Sequence, residues 1–222
     1  MPGRKPILEN DEPLVRNAPE GSPLRDQALI TLGLNTGFRI TELLSLAVGQ
    51  VWEAGRAKPQ VKVSRAKLKG GHGCHRRTIV SRIVPLNDAS KTALEQYLFS
   101  RFGSGDANPA LPLFPSRNFG APLRQWRANQ IMHAVFEKAG LGTPESYGTH
   151  SLRKTFARKV YSATKYDFNL TRAVMGHADI GTTQKYLQVD ESEMDEAVLA
   201  IGRMNSLASV STAVPQQAKA PA

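Results

Sequence analysis

The chain has 222 residues, 41% of them hydrophobic, so it can bury the core of one full-sized domain. It contains no apolar run long enough to cross a bilayer, and its first ten residues lack the apolar centre of a secretory signal. The single cysteine, Cys74, excludes an internal disulfide framework and is typical of a reducing compartment. We therefore expect a cytoplasmic protein with no membrane partner.

The net charge is the most informative part of the composition. Lysine and arginine number 29 against 19 aspartate and glutamate, a formal charge of +10. Such an excess favours a polyanionic partner, most simply nucleic acid, because neutralising phosphates releases counterions. A basic soluble enzyme without a nucleic-acid role would have the same charge, so charge suggests a partner and does not identify a reaction.

In chain order, residues 1–21 show little periodicity and predict an N-terminal arm or extended lead-in. Ser22-Pro23 is typical of a helix start, and Gly37 of its end. A second short helix is expected over residues 39–46. A small three-stranded antiparallel sheet is then predicted from three short β-rich runs, at residues 50–52, 60–63 and 78–84.

The second half of the chain is predicted to be mostly helical. Asn87-Asp88 should cap one helix, and a loop is expected over residues 103–122. Further helices are expected at residues 125–139, 150–162, 167–175 and 180–188, with Gly140 as a C-cap and Thr149 and Asp167 as N-caps. An amphipathic helix over 191–205 and a disordered tail over 206–222 complete a mostly α-helical α+β chain.

Four clusters contain residues that could perform chemistry. They are Thr36-Gly37-Phe38-Arg39-Ile40-Thr41-Glu42-Leu43, Lys67-Leu68-Lys69-Gly70-Gly71, Thr149-His150-Ser151-Leu152-Arg153 and the segment from Met175 to Tyr186. His150 and Arg153 are three apart at a helix start, so both lie on nearly one face. An imidazole beside a guanidinium there suits a phosphate that gains charge during displacement. The alternative is a solvated histidine and an arginine paired with an acidic neighbour.

In the last cluster, Gly176 should end a helix, which places His177 on a turn and Tyr186 at the end of the next short segment. A phenol attacks only with help from cationic neighbours and a base, and a half-buried aromatic residue is the alternative. Arg39 follows a glycine-containing break that could aim it into a cleft, although it could simply pair with Glu42. Lys69 lies on a glycine-flanked hairpin tip, where it could act as a general acid or remain in solvent.

Taken in this order, the clusters resemble the catalytic domain of the tyrosine recombinases, the phage-integrase type. That family has an arginine in a Thr-Gly-x-Arg-x-x-Glu-Leu setting, a hairpin lysine, a His-x-x-Arg pair and a Gly-His whose histidine lies nine residues before the nucleophilic tyrosine. The matching residues here are Arg39, Lys69, His150, Arg153, His177 and Tyr186. The resemblance places the catalytic domain at residues 22–190.

The resemblance implies a mechanism. Arg39 and Arg153 would clamp the scissile phosphate, with His150 as general base and His177 bonded to a phosphate oxygen. Tyr186 would attack phosphorus, leaving a 3′-phosphotyrosyl bond and a 5′-hydroxyl that receives a proton from Lys69. No cofactor or metal is implied. The implied partners are double-stranded DNA with a specific recombination site and further copies of the chain, as a dimer to tetramer on nucleoid DNA.

Two departures from the family pattern bear on this reading. Only about 21 residues precede the first predicted catalytic helix, too few for the family's N-terminal helical domain, so we expect weaker DNA affinity. The stretch from Lys69 to Pro85 is longer than the usual hairpin, which leaves Lys67 as a second candidate lysine. Its His72, Cys74 and His75 lack standard zinc spacing. Additional DNA contacts are expected from Arg76, Arg77 and Lys154.

Other functions remain compatible with the sequence. A type IB topoisomerase-like enzyme would use the same tyrosine chemistry to relax supercoils without exchanging partners. A non-catalytic DNA-binding protein on the same scaffold, or an RNA- or ribosome-associated basic protein, would form no covalent adduct. The helix at 191–205 would pack on a neighbouring protomer if it follows the family, or on its own domain.

Overall fold

The structure, a computed structural model, describes residues 4–64, 81–104, 107–117, 120–142, 146–177, 180–187 and 199. The chain divides into two units, Met1–Tyr186 and Leu187–Ala222, and the fold described here is that of the first. Several predictions fall outside the described residues, namely Lys67, Lys69, the His72, Cys74 and His75 group, Arg76, Arg77, the helix at 191–205 apart from one residue, and the tail at 206–222.

Helices dominate the described part of the chain. They are α1 (Glu12–Asn17), α2 (Leu24–Thr36), α3 (Ile40–Leu44), α4 (Asp88–Phe102), α5 (Gln125–Lys138), α6 (Thr149–Ala163), α7 (Phe168–Met175) and α8 (Ile180–Leu187), with a 3₁₀ turn at Val48–Gln50. Apart from the helix at 191–205, which lies outside the described residues, the expected helices of the second half are present within one or two residues of their expected bounds. The α+β class is confirmed.

Local capping explains several of the helix ends. The Asp167 carboxylate accepts a hydrogen bond from the Leu170 amide at 2.9 Å, as expected of an N-cap. The expected N-cap at Thr149 is wrong by one residue, because α6 starts there and Gly148 is the cap. The Gly148 amide donates to the Ser151 hydroxyl at 3.1 Å, so a side chain inside the first turn satisfies this backbone group.

Two glycines in the left-handed conformation end the helices that lead into the site. Gly37 ends α2 with φ +60°, and Gly176 ends α7 with φ +63°. A Cβ at Gly37 would also collide with the ring of Phe156 on α6. These glycines therefore allow both helix C-termini to turn sharply and approach α6.

The described strands form two separate two-stranded antiparallel sheets, so the expected three-stranded sheet is wrong in its pairing. β1 (Trp52–Glu53) pairs with β2 (Arg56–Ala57), and β3 (Gln60–Val63) pairs with β4 (Arg82–Pro85). The reason is a tight turn at Ala54 and Gly55, both with positive φ, which folds the first β-rich region into its own hairpin.

The hydrophobic core surrounds α2, which packs against both α4 and α6. Ala28, Leu29 and Leu32 on α2 are fully buried. Gly33 allows α6 to approach closely, since a Cβ there would lie 2.6 Å from Cδ1 of Leu152. The loop expected over residues 103–122 is anchored to this core where it is described, because Leu113 and Phe114 are fully buried. The close packing of α2 on α6 therefore holds α6 from one side.

The N-terminal segment differs from the expected extended lead-in. It contains α1, and Ile7 and Val15 are buried in the core at 3% and 0% exposure. The Ile7 amide donates to the hydroxyl of Thr155 on α6 at 2.8 Å, and Lys159 on α6 pairs with Glu12. The segment was not predicted because its apolar residues are too sparse to show a period, whereas its order depends on tertiary contacts such as those with α6.

No helix in the described part of the chain has both the length and the apolar character that a membrane span requires.

Ile7→Ala should destabilise the fold by about 2–4 kcal/mol, because it removes most of a buried side chain and leaves a cavity that the neighbouring residues close only in part. The measurement is the free energy of unfolding from urea denaturation. Leu8→Ala is the matched control, since Leu8 is 48% exposed, and it should change stability by less than about 0.5 kcal/mol. Equal effects of the two changes would show that the N-terminal segment does not pack on the core.

Candidate active site

Five of the residues singled out in the sequence come together where α3, α6, α7 and α8 meet. Arg39 is the N-cap of α3, while His150 and Arg153 lie on the first turn and a half of α6. His177 follows the left-handed Gly176 at the end of α7, and Tyr186 lies on α8.

Arg153 is the centre of this cluster, and its side chain is only 1% exposed. One terminal nitrogen, Nη1, donates to the carbonyl oxygen of Gly37. The other, Nη2, donates to the carbonyl of Met175 at 3.1 Å and lies 2.7 Å from Nε2 of His177. Both carbonyls belong to helix C-termini, which carry partial negative charge, so they stabilise a cation that burial would otherwise disfavour.

Burial, and then the charge of Arg39, lower the pKa of Arg153, while Tyr186 and Glu42 act in the opposite direction. The guanidinium carbon lies 5.4 Å from the centre of the Tyr186 ring, within cation–π range. Tyr186 therefore lies directly over the arginine, and its ring is also 5.1 Å from the ring of His177.

Glu42 links the two arginines of the site. Its carboxylate accepts from Arg39 Nη1 and from the Arg39 amide, each at 2.8 Å, and lies 3.9 Å from Arg153 Nη1. The Glu42 side chain is 1% exposed, whereas that of Arg39 is 23% exposed. Pairing with Glu42 therefore holds Arg39 at the edge of the cluster, where it still faces solvent.

His150 lies in a strongly cationic setting. Partial burial lowers its pKa below the ordinary value, and the charges of Arg153, Arg39, Lys154 and Arg4 lower it further. The ring is therefore neutral at pH 7 and able to accept a proton. Burial, and then Arg158, likewise lower the pKa of Lys154, the next cation along α6.

His177 is held at both ring nitrogens. Nε2 faces Arg153, and Nδ1 lies 2.9 Å from the hydroxyl of Thr183 on α8. His177 is 7% exposed and Thr183 is fully buried. The turn after α7 and the helix that carries Tyr186 are therefore joined through one imidazole ring.

Arg82 is part of the cluster and was not predicted from the sequence. It donates to the carbonyls of Thr36 and Val174, each at 2.9 Å, and to that of Gly37 at 3.3 Å. Burial, and then Arg153, lower its pKa to about 9, so the group stays charged at neutral pH. Arg82 thus bridges the same two helix ends as Arg153. The sequence signal that could have identified Arg82 as a buried residue was strand alternation, because Arg82 and Val84 both face inward on β4.

The structure does not place Lys67, Lys69, Arg76 or Arg77, which lie outside the described residues. Within the described ranges, no three His, Cys, Asp or Glu side chains form a group that could hold a metal ion.

The family model and the similar proteins agree on one family. The model of the phage integrase family matches residues 7–193. A tyrosine recombinase XerC of Erythrobacter litoralis is 34% identical over 172 residues, covering 78% of this chain and 49% of the relative. The chain thus spans about half the length of the relatives it matches.

Solved structures show the same fold. The crystal structure of XerA recombinase superposes with a TM-score of 0.67 at 22% identity, covering 88% of this chain and 65% of that one. The XerH site-specific recombinase, bound to its difH substrate before cleavage, gives a TM-score of 0.62 at 22% identity, covering 88% of this chain and 55% of that one.

Arg82→Met should lower the free energy of unfolding by roughly 2–4 kcal/mol, because it leaves the Thr36 and Val174 carbonyls without their buried donor. Arg56→Met on exposed β2 is the control and should stay within about 0.5 kcal/mol of the wild type. Urea denaturation measures both. An Arg82→Met protein as stable as the control would refute the bridging role.

The pKa of His150 gives a pH prediction. Because the folded chain holds this pKa below its ordinary value of about 6.5, the unfolded chain binds a proton first as the pH falls, and stability is lost. His150→Gln should therefore flatten the decline in stability between about pH 7 and pH 5. His133→Gln on α5 provides the matched control. Denaturation midpoints across this range that fall equally in wild type and His150→Gln would contradict the prediction.

Proposed function

The chain belongs to the phage integrase family, and we propose that it cleaves and rejoins double-stranded DNA with Tyr186 as the nucleophile. The observation that carries this proposal is the position of the Tyr186 ring, 5.4 Å from the Arg153 guanidinium and 5.1 Å from the His177 ring. A phenol needs such cationic neighbours to become a useful nucleophile toward phosphorus.

The charge of the site supports a phosphodiester substrate. Arg39, Arg82 and Arg153 lie around a single buried carboxylate, that of Glu42, which leaves an excess of positive charge. This excess would stabilise the pentacoordinate phosphorane, whose equatorial oxygens carry more negative charge than the starting diester. The net charge of +10 would attract the remaining DNA phosphates.

Each residue then has a role in the reaction. His150, neutral at pH 7, takes the phenolic proton as Tyr186 attacks phosphorus. The bond from phosphorus to the 5′-oxygen breaks, and this oxygen receives a proton from Lys69, with Lys67 as the alternative donor. Arg39 and Arg153 neutralise the non-bridging oxygens, and His177 hydrogen-bonds one of them. The 3′-phosphotyrosyl bond conserves the energy needed for rejoining, so no cofactor is required.

We further propose site-specific recombination as the biological reaction, on DNA that carries a recombination site and with a dimer to tetramer of this chain. The named relatives are site-specific or tyrosine recombinases, which supports this choice over relaxation alone. Lys154, Arg76 and Arg77 are proposed to contact the DNA backbone outside the reacting phosphate.

Tyr186→Phe should abolish covalent adduct formation, because it removes the attacking oxygen and leaves the ring in place. The assay is incubation with a library of nicked half-site DNAs, denaturing electrophoresis of the trapped complex and sequencing of the attached strand. Tyr166→Phe is the control, since Tyr166 is 69% exposed and packs only against Tyr161 among the aromatic rings described, and it should form adduct like wild type.

Adduct formation by Tyr186→Phe would refute the assignment of the nucleophile. Absence of any adduct from wild-type protein on the whole library would refute the proposed chemistry. Rapid relaxation of plasmids that share no sequence with the trapped strands would instead favour a topoisomerase.

A further inference from the structure

The N-terminal segment brings an arginine to the active site that none of the proposed chemical steps uses. A Cβ placed on Gly148, the N-cap of α6, would lie 3.2 Å from Nε and 3.7 Å from Cζ of Arg4. The Arg4 guanidinium therefore lies against the backbone that leads into His150. Gly148 allows this close approach, because any side chain at that position would require Arg4 to shift.

The residues that follow Arg4 fix its place. The Lys5 amide donates to the carbonyl oxygen of Ser146 at 2.8 Å, and the Ile7 amide donates to the Thr155 hydroxyl at 2.8 Å. Thr155 belongs to α6, and Ser146 lies just before that helix. Arg4 itself is partly exposed. The segment thus holds Arg4 at the start of α6, within reach of a ligand that arrives from solvent.

The charges around His150 indicate which kind of ligand Arg4 would bind. Burial lowers the pKa of His150, and so do four neighbouring cations, in the order Arg153, Arg39, Lys154 and Arg4. The proposed reaction uses two of these, Arg39 and Arg153, on the scissile phosphate. Arg4 and Lys154 add positive charge that this one phosphate does not need. A DNA strand carries further phosphates on each side of the reacting one, and these are the anions that such cations attract.

We propose that Arg4 binds the DNA phosphate next to the scissile one, which makes the N-terminal segment part of the DNA-binding surface. This inference rests on the proposed function of the site. The neighbouring diester would accept charge-assisted hydrogen bonds from the Arg4 guanidinium. The strand would then be held at the start of α6, beside the turn on which His150 accepts the phenolic proton. Arg4 contributes to affinity and register in this arrangement, and it takes no part in the bond changes.

The first test measures how DNA affinity depends on salt, with a labelled duplex and a Tyr186→Phe protein that cannot cut it. Adding Arg4→Gln should weaken binding about 3- to 10-fold at low salt and reduce the slope of log affinity against log salt by about 1, because one phosphate contact is lost. Arg4→Lys should keep most of the slope. Lys5→Gln is the matched control, since Lys5 is exposed and carries the same charge one position away, and it should leave the slope nearly unchanged.

A slope that Arg4→Gln leaves unchanged, or one that Lys5→Gln reduces equally, would overturn the inference. This measurement needs no cleavage. If wild type forms no covalent adduct, the proposed function fails, and the salt dependence still decides whether Arg4 contacts a phosphate.

The second test locates that phosphate on the half-site identified from the trapped strand. Single phosphates around the cleavage position are replaced by uncharged methylphosphonates, and binding is compared between Tyr186→Phe and the double variant with Arg4→Gln. Replacing the phosphate next to the scissile one should weaken binding by Tyr186→Phe and have much less effect on the double variant, since the contact is already lost. Coupling to a more distant phosphate, or to none, would contradict the assignment.

Discussion

The guanidinium of Arg153 is a buried cation, and its surroundings must compensate for the loss of water. They do so with the last carbonyls of α2 and α7, which reach the arginine because Gly37 and Gly176 let both helices end abruptly. Arg82 bridges the same two helix ends from β4. The described part of the site is therefore built where two helix termini meet α6.

This constraint gives the N-terminal segment a role in the site. α6 carries both His150 and Arg153, and it is packed from one side by α2 at Gly33 and Gly37. Residues 4–18 hold α6 elsewhere, through the Ile7 amide on Thr155 and through Glu12 on Lys159. A segment without any reacting group thereby fixes the helix on which the phosphate would be bound.

The motifs that carry the resemblance to the phage-integrase type predicted Arg39, His150, Arg153, His177 and Tyr186 as one group, and the structure brings these five together. The motifs identified them because Arg39, His150 and His177 lie within two residues of Gly37, Gly148 and Gly176 at helix ends. Arg153 follows His150 by three residues on one face of α6. The motifs could not reveal Arg82, whose hydrogen-bond partners lie 45 or more residues away along the chain. They also could not reveal Thr183, whose partner His177 lies across the turn that precedes α8. α1 and the two separate hairpins were also missed, because tertiary packing and a two-residue turn determine them rather than periodicity.

The hydrogen bonds of Arg153 have a consequence for how the site uses binding energy. Both terminal nitrogens are already bonded within the protein, whereas Nε is buried without a hydrogen-bond partner. An incoming phosphate therefore either bonds the remaining N–H groups or displaces carbonyl and imidazole acceptors from the guanidinium. Displacement by a singly charged diester gains little free energy, whereas the more highly charged transition state competes far better for the same donors. We expect this arginine to contribute weakly to DNA affinity and strongly to rate, leaving attachment to the duplex to contacts elsewhere on the chain.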